Sequence, residues 1–350
     1  PLGDGFGPFG MNVPRINCLI EWNGALYASG LFTLPPSPDY ISFARWNGST
    51  WEPLMAALYP EYVYELVPYG DDLMLIGSFT EIDGVPASGF ASFDGTDLTI
   101  IPAVVSRNSG YPAYKGDGVV HQGYLVVGGN FDVIDGVACE NIARWDGAAW
   151  LPGNDGFGVT REARDLLVHG DELYVGGNMT LAGGMPVGGV AIWNGSVWDD
   201  LGGGLGLASG SDPSVELMAV ANGQVVMTGN FDLALGQPCS SKIVSWDGSA
   251  WTSFGSGFVL EPGADFRDMA VWESDLFIGG DFEVAGDKNS YNIARWLLPE
   301  ASETPAARVE VMARLHDARP NPFHPSTAVT IELSQPVHVV LAVHDLRGRR

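Results

Sequence analysis

The sequence predicts an all-β fold built from six copies of one unit. The best-preserved copy runs from Glu172 to Gly202, and in every copy the second predicted strand ends in a glycine. These glycines are Gly30, Gly77, Gly129, Gly177, Gly229 and Gly280. An aromatic residue marks the third predicted strand, at Trp46, Phe93, Trp145, Trp193, Trp246 and Trp296. The period is about fifty residues, which is typical of solenoids and propellers.

Each copy divides into four short apolar runs, the length and composition of strands. In the fourth copy they are Asp165–His169, Leu173–Gly177, Gly189–Trp193 and Trp198–Leu201. Asn194-Gly195 joins the last two, and Asn-Gly or Asp-Gly recurs there in four other copies. This dipeptide is typical of tight hairpins with positive φ angles. A four-stranded antiparallel meander repeated about an axis is a propeller blade, so the sequence predicts a six-bladed β-propeller.

The sixth copy lacks a fourth strand, because Trp296 is followed by Leu297, Leu298 and Pro299. Pro1-Leu2-Gly3 matches the end of a fourth strand such as Trp51–Leu54. We therefore predict that the N-terminal strand closes the ring, which would leave no open sheet edge. A seventh blade is the alternative if further residues precede Pro1.

A hydrophobic–Gly-Gly ending of the second strand, with Tyr or Phe before it and Trp in strands three and four, resembles Kelch-like and galactose-oxidase-like propellers. The resemblance covers residues 1–298. Three copies depart from it, with Ser29-Gly30, Ile76-Gly77 and Thr228-Gly229 in place of Gly-Gly. It implies the fold and leaves the activity open, since propellers host many functions.

The composition changes after the sixth copy. Residues 299–313 are rich in Pro, Ala and Glu and are predicted to form a linker. In residues 314–350, Thr327–Leu333 and His338–His344 alternate as strands do. The sequence therefore predicts a small second β module after the propeller.

Pro320-Asn321-Pro322-Phe323 and the two strands after it resemble the start of the immunoglobulin-like modules that end many secreted bacterial proteins. Those of flagellar hook-capping proteins and of type IX secretion signals are similar. The resemblance implies export, attachment or assembly, with Asn321, Pro322 and Phe323 as assembly or sorting residues. A sandwich of this kind needs about seven strands, so we expect it to be only partial here. Either the chain continues, or a neighbouring chain completes the sheet.

The chain is strongly acidic, with a net charge of −25 and an isoelectric point near 4.3. Such a surface repels nucleic acid and anionic membranes. No apolar run approaches the roughly eighteen residues of a membrane span. Cys18, Cys139 and Cys239 are predicted to be thiols that pack as small apolar groups.

The loops joining strands two and three are long, whereas the opposite face has tight turns, so we expect a partner to bind the long-loop face. Aromatic residues predicted to be exposed there would contact a protein or a glycan. They are Tyr40, Tyr62, Tyr111, Phe157 and Tyr291.

Four carboxylates recur near the start of the inner strands: Glu65, Asp117, Asp165 and Asp268. Converging on the channel, they would hold a cation such as Ca²⁺, or a proton if crowding raises a pKa. The alternative is pairing with neighbouring arginines, since Arg164 and Arg267 directly precede two of them.

Another set ends the inner strands: Trp22, Tyr69, His121, His169, Ala221 and Trp272. Packing between blades accounts for it better than stacking on sugars or metal binding, because two histidines without a third ligand make a poor zinc site.

No nucleophile elbow, metalloprotease helix or phosphate-binding loop occurs in the sequence. The sequence therefore predicts a non-catalytic protein, secreted or at the cell surface, that acts as a binding or display scaffold. Two alternatives stay open. One is a structural subunit of an extracellular homopolymer that associates through the C-terminal module. The other is a propeller enzyme acting on carbohydrate.

Overall fold

The computed structural model describes residues 5–7, 14–56, 62–107, 114–152, 156–239, 242–254, 256–260, 265–272, 275–290 and 292–297, with the backbone alone at 114–115, 313–315 and 331–333. The chain separates into a larger unit, Pro1–Glu300, and a smaller one, Ala301–Arg350. The described residues form strands, turns and loops without a helix, as the all-β prediction requires. Among them no helix is long and apolar enough to cross a bilayer.

Among the described residues of the larger unit, six antiparallel sheets of three or four strands follow one another along the chain beside several smaller ones, and we call these six sheets 1 to 6. Their first strands, called inner strands, are Arg15–Trp22, Val63–Tyr69, Tyr114–His121, Ala163–His169, Ser214–Ala221 and Phe266–Trp272. The second strands are Ala25–Thr33, Asp72–Gly77, Tyr124–Asn130, Glu172–Gly177, Gln224–Asn230 and Asp275–Gly280. The third strands are Tyr40–Trp46, Phe90–Phe93, Ile142–Trp145, Val190–Trp193, Ile243–Trp246 and Ile293–Leu297.

Sheets 1 to 5 also have a fourth, outer strand. These outer strands are Trp51–Ala56, Leu98–Ile100, Trp150–Leu151, Trp198–Asp199 and Trp251–Ser253. Sheet 6 has three strands among the described residues. Residues 1–4, predicted to supply its fourth strand, lie outside the described residues.

The core lies between consecutive sheets. Tyr174 and Ile192 of sheet 4 pack with Val225 and Met227 of sheet 5, and all four are buried. Each fully buried side chain of this size stabilises the fold by about 1.5–3 kcal/mol. The inner strands of consecutive sheets also contact one another. Propeller blades are arranged in this way: successive four-stranded meanders pack face to face, with their inner strands in contact.

Every inner strand contains a bulge near its start. The register with the second strand shifts between Ala163 and Asp165 in sheet 4, and at the equivalent position in the other five sheets. The bulge brings the carbonyl oxygen of Glu162 against Gly177, where an added Cβ would lie 2.0 Å from it. The same carbonyl approach occurs at Gly77, so the repeated glycine marks a place with no room for a side chain.

The turns between the third and outer strands differ from the prediction. Trp193 pairs with Trp198, so the turn contains four residues. Only Gly195 of the Asn-Gly pair has positive φ. The Asn194 side chain instead accepts hydrogen bonds from the N–H groups of Ser196 and Val197, both at 3.0 Å. The side chain therefore caps the turn, which explains why either Asn or Asp can occupy this position.

The long connections between the second and third strands fold into short hairpins. They pair Glu81–Ile82 with Val85–Pro86, Val133–Ile134 with Val137–Ala138, Leu181–Ala182 with Met185–Pro186, Leu233–Ala234 with Gln237–Pro238, and Phe282–Ala285 with Lys288–Asn289. The linkers that enter sheets 3, 5 and 6 add a further short strand to these hairpins, at Val105–Ser106, Leu205–Gly206 and Phe258–Leu260.

In the smaller unit, Ala313–Leu315 pairs antiparallel with Ile331–Leu333. The second of these falls within the predicted strand Thr327–Leu333. The predicted strand His338–His344 and the candidate residues Asn321, Pro322 and Phe323 lie outside the described residues.

Candidate functional site at the inner-strand mouth

The inner strands all begin at one end of the sheets. Because each pairs antiparallel with a second strand, its start lies beside the end of that strand and the hairpin that follows. We call this end the mouth. It holds the repeated carboxylates and two of the predicted aromatic residues, together with a charged cavity that spans three sheets.

The repeated carboxylates sit at the bulges and reach from one sheet to the next. The Asp117 carboxylate accepts hydrogen bonds from the N–H of Gly118 at 2.7 Å and from that of Leu166, in sheet 4, at 2.6 Å. Asp165 likewise accepts from the N–H of Met218 in sheet 5. A bulge leaves such an N–H without a partner in its own sheet, so these carboxylates supply the missing acceptors.

Glu65 is the repeated carboxylate of sheet 2. The Cys18 thiol of sheet 1 donates to Glu65 Oε1 at 3.3 Å, and the N–H of Leu66 donates to the same atom at 3.2 Å. Asp268 of sheet 6 accepts from the N–H of Met269 at 2.8 Å. Cys18 therefore occupies the carboxylate position of sheet 1 and points at the acid of the next sheet.

Burial raises the pKa of three of these acids, Glu65, Asp117 and Asp165. It brings the pKa of Glu65 to about 8, helped by the negative charges of Asp117 and then Asp268. Burial also raises the pKa of Asp117 to about 6 and that of Asp165 well above its ordinary value. The charge of Asp117 adds to the rise at Asp165, because neighbouring carboxylates disfavour ionisation of both.

The raised pKa values of three of these carboxylates agree with the proton hypothesis, and the cation hypothesis stays a prediction. Among the described residues, no group of three or more His, Cys, Asp or Glu side chains is placed to hold a metal ion. The Asp117 and Asp165 carboxylates accept from N–H groups of the following sheet, whereas Asp268 accepts from an N–H of its own sheet. Pairing with the preceding arginines does not occur, because Arg164 donates to Glu162 and Arg267 to Asp281.

A cavity of about 430 Å³ opens at the mouth across sheets 4, 5 and 6. Its lining consists of Glu162, Arg164, Glu216, Asp265, Phe266 and Arg267. Arg164 Nε donates to Glu162 Oε2 at 2.8 Å, and Arg267 donates to Asp281 Oδ2 at 2.6 Å. Two arginines thus share one cavity in a unit whose acidic residues far outnumber its basic ones.

Glu216 lines this cavity and interacts with several charged side chains. Its carboxylate accepts a hydrogen bond from the N–H of Phe266, on the next sheet, at 3.3 Å. Burial and the charge of Asp265 raise its pKa, while Arg164 and Lys242 oppose that rise. Burial in turn lowers the pKa of the Lys242 ammonium. Cationic groups of sheets 4 and 5, Arg164 and Lys242, therefore act on one partly buried carboxyl.

Of the predicted aromatic residues, Tyr40 and Tyr62 lie together, packed on the buried Leu31. The Tyr62 ring stacks on Tyr64 with centroids 5.9 Å apart, and the Arg15 guanidinium lies 5.8 Å from the Tyr62 centroid. These rings are half-buried, so part of each remains accessible.

The expectation of an exposed ring at Phe157 is wrong. Its side chain is 1% exposed and stacks on Trp198, and the Arg144 guanidinium lies 4.4 Å from its centroid. The linker that contains Phe157 folds onto sheet 4. The position of Phe157 in a long loop of the sequence did not indicate this. Tyr111 and Tyr291 lie outside the described residues.

Two members of the set that ends the inner strands, Tyr69 and His121, contribute to packing between sheets, whereas Trp272 is 69% exposed. Tyr69 donates from its hydroxyl to the carbonyl oxygen of Gly123 at 3.1 Å. His121 Nε2 lies 2.9 Å from the carbonyl oxygen of Asp171. Each thus contacts a turn of the following sheet, which agrees with the packing interpretation.

Sequence reasoning missed Tyr64, Arg15, Glu216 and Lys242. Glu216 had a usable signal, since it directly precedes Leu217, the residue at the bulge position of sheet 5. Lys242 had no such signal in the sequence, because it reaches the mouth only through the third strand of sheet 5. The three cysteines are free thiols; Cys139 is buried as predicted, whereas the Cys18 thiol donates to Glu65 and does not act as an apolar group.

No family model matches this sequence, and no curated protein matches it. Solved structures resemble it at low identity. A structure of YCF48 bound to a D1 peptide is 12% identical, covers 89% of this chain and 91% of its own, and gives a TM-score of 0.44. The extracellular domain of the putative hybrid two-component system BT4673 from B. thetaiotaomicron is also 12% identical, with coverages of 82% and 33% and a TM-score of 0.42. PorZ, a bacterial surface component of the type IX secretion system of Porphyromonas gingivalis, is 13% identical, with coverages of 76% and 50% and a TM-score of 0.29. Likeness at these values carries no functional argument.

Proposed function

We propose that this protein is a non-catalytic binding scaffold, secreted or displayed at a cell surface, that holds a segment of a partner protein at the mouth. The observation that carries the proposal is the cavity lined by Arg164, Arg267 and Glu216, which spans three sheets of a rigid unit. Binding sites are typically concave and present a few placed polar groups on a rigid scaffold.

The scaffold itself is proposed to be a Kelch-like ring of six blades closed by the N-terminal strand. Support comes from the electrostatic influence of Asp268, in sheet 6, on Glu65, in sheet 2. Carboxylates of sheets 2 and 6 are thus close enough to interact, as a closed ring would require. The C-terminal unit is proposed to be a partial immunoglobulin-like module for export or attachment, on the strength of the resemblance around Asn321-Pro322-Phe323.

The arginines of the cavity are suited to capture a carboxylate. A guanidinium has five N–H donors, and Arg164 and Arg267 each use only part of theirs. Their ion pairs are exposed to solvent, with 38% and 57% of the arginine side chains accessible. Such pairs contribute only about 0–1 kcal/mol, so an incoming acidic group can replace the internal partner at little cost.

The test is selection from a phage-displayed library of random peptides on the intact protein. Peptides enriched on the wild type are expected to bind the Arg164→Ala/Arg267→Ala variant at least about tenfold more weakly, since a charge-assisted hydrogen bond contributes about 1.5–3 kcal/mol. Arg295→Ala is the matched control, because Arg295 is also exposed and pairs with an acid, Asp275, outside the cavity. Equal binding to both variants, or no enrichment on the wild type, would refute the proposal.

A further inference from the structure

The hairpins at the mouth of sheets 2 to 6 share one turn conformation. Each has a two-residue turn whose first residue has a positive φ, between 47° and 61°. These first residues are Asp83, Asp135, Gly183, Leu235 and Gly286. Asp, Asn and Gly are the residues suited to this position, whereas a bulky leucine is an outlier there. Sheet 5 is therefore the exception.

A second position of positive φ lies just before the third strand of the same five sheets. Its carbonyl oxygen accepts a hydrogen bond from the N–H of the repeated glycine of the second strand. Its φ lies between 60° and 76°. The residues at this position are Gly89, Asn141, Gly189, Lys242 and Asn292. Gly and Asn adopt such angles readily and lysine does not, so the exception again belongs to sheet 5.

The repeats thus show that the fold does not require either side chain. Sheets 2, 3, 4 and 6 form both turns with residues suited to positive φ. Backbone held in a sparsely populated conformation costs stability, and such residues cluster at binding and active sites. Because Leu235 and Lys242 both incur this cost in one sheet at the mouth, their side chains indicate a function at that place.

The Leu235 side chain lies on a surface that has no side chains of its own. Its Cδ2 atom is 3.6 Å and 3.8 Å from the positions that a Cβ would take at Gly202 and Gly203. The leucine remains 48% exposed. An exposed leucine alone is ordinary, but this one stands at the tip of a hairpin where the other described copies have Asp or Gly. It presents an apolar group to solvent at the mouth.

Lys242 brings a cation to the same end of sheet 5. It is half-buried, and its ammonium donates a hydrogen bond to Asn230 Oδ1. Burial lowers the pKa of this ammonium, while the charges of Glu216 and then Asp232 oppose that effect. An ammonium has three N–H donors, so it can bind a further acceptor beside Asn230. Since Glu216 lines the cavity, Lys242 adds a third cation to the arginines already described there.

We infer that sheet 5 contacts the partner segment directly, with Lys242 binding an acidic side chain and Leu235 an apolar side chain of that segment. The inference rests on the proposed function and gives its ligand a chemical class, an acidic peptide with an apolar residue. Charge complementarity supports this class. The sequence has 17 basic and 42 acidic residues, yet Arg164, Arg267 and Lys242 all act at or beside one cavity.

The test uses peptides selected on the intact wild-type protein from a random phage-displayed library. They are expected to contain an excess of acidic and apolar residues. Lys242→Asn, which introduces the residue of sheets 3 and 6, is expected to bind them at least about tenfold more weakly, because a charge-assisted hydrogen bond is lost. Its melting temperature is expected to equal or exceed that of the wild type by up to about 3 °C, because the backbone strain is relieved. Lys242→Arg keeps the charge and should bind within about threefold of the wild type.

Leu235→Asn tests the apolar contact without adding a charge. It is expected to bind the same peptides at least about fivefold more weakly, because the apolar area buried on binding is lost. Its melting temperature is expected to rise by about 1–3 °C. Asp135→Leu is the matched control, since it creates the same strain in the equivalent turn of sheet 3. It should lower the melting temperature and leave binding unchanged.

Unchanged binding in either asparagine variant would overturn the inference. A fall in melting temperature in either asparagine variant would also overturn it, because the side chain would then serve the fold. Selected peptides without the acidic and apolar excess would contradict the ligand class. Peptides that bind both asparagine variants fully but lose affinity for Arg164→Ala/Arg267→Ala would remove this inference and leave the proposed function standing. Failure to enrich any peptide on the wild type would remove both.

Discussion

Gly177→Ala is expected to lower the free energy of unfolding by about 3 kcal/mol, the upper part of the range for forcing atoms into a packed site. The new Cβ would lie 2.0 Å from the carbonyl oxygen of Glu162 and 3.3 Å from Cα of Ala163. Both contacts are with backbone, so relief requires a shift of the bulged inner strand and not of a flexible side chain. Equilibrium unfolding in urea measures the change.

Gly279→Ala is the matched control, because Gly279 holds the next-to-last position of the second strand in sheet 6. An added Cβ there finds nothing nearer than 3.9 Å and the backbone is not left-handed. The expected change is below about 1 kcal/mol in either direction. Equal losses in the two variants would mean that the alanine acts through general strand propensity, and that the bulge does not exclude a side chain at Gly177.

The glycines also show what the sequence can predict about this fold. The recurrence of glycine predicted the number of sheets and the end of each second strand. A position that has no room for a side chain keeps the same residue in every repeat, and this can be read from the sequence. The bulge that causes the requirement was not visible. It is a backbone feature whose residues vary, with Asp165 in sheet 4, Leu217 in sheet 5 and Cys18 in sheet 1.

The candidate site was predicted less completely for the same reason. The carboxylates were found as a set because they share one position in the repeat. Their partners were not found, since main-chain N–H groups such as those of Leu166 and Met218 leave no mark in the sequence. Phe157 was misplaced because loop membership says nothing about whether a ring turns toward solvent or toward the next sheet.

The stability of the protein is expected to fall as the pH rises from about 5 to about 8. The pKa of Glu65 is about 8 in the folded protein, against 4.5 ordinarily, and that of Asp117 is about 6, against 3.8. The folded state therefore keeps protons that the unfolded chain has released. Each such proton costs about 1.4 kcal/mol of stability per pH unit until the folded-state pKa is passed, after which the loss is complete. Urea unfolding across this pH range measures the slope.

Glu65→Gln is expected to reduce this slope by about one proton. The glutamine amide matches the protonated acid in shape, its oxygen can accept from Cys18 and Leu66, and its NH₂ can face the charges of Asp117 and Asp268. Asp83→Asn, at an exposed turn, is the matched control and should leave the slope unchanged.

The sign of the slope separates the two chemistries that four convergent carboxylates allow. Acids that hold protons in the folded state make stability fall with rising pH, as expected here. Acids that are ionised and paired with a bound cation would do the opposite, because protonation would then release the cation. A wild-type stability that rises between pH 5 and 8, and rises less in Glu65→Gln, would therefore contradict the raised pKa values of these acids and identify the four carboxylates as a cation site.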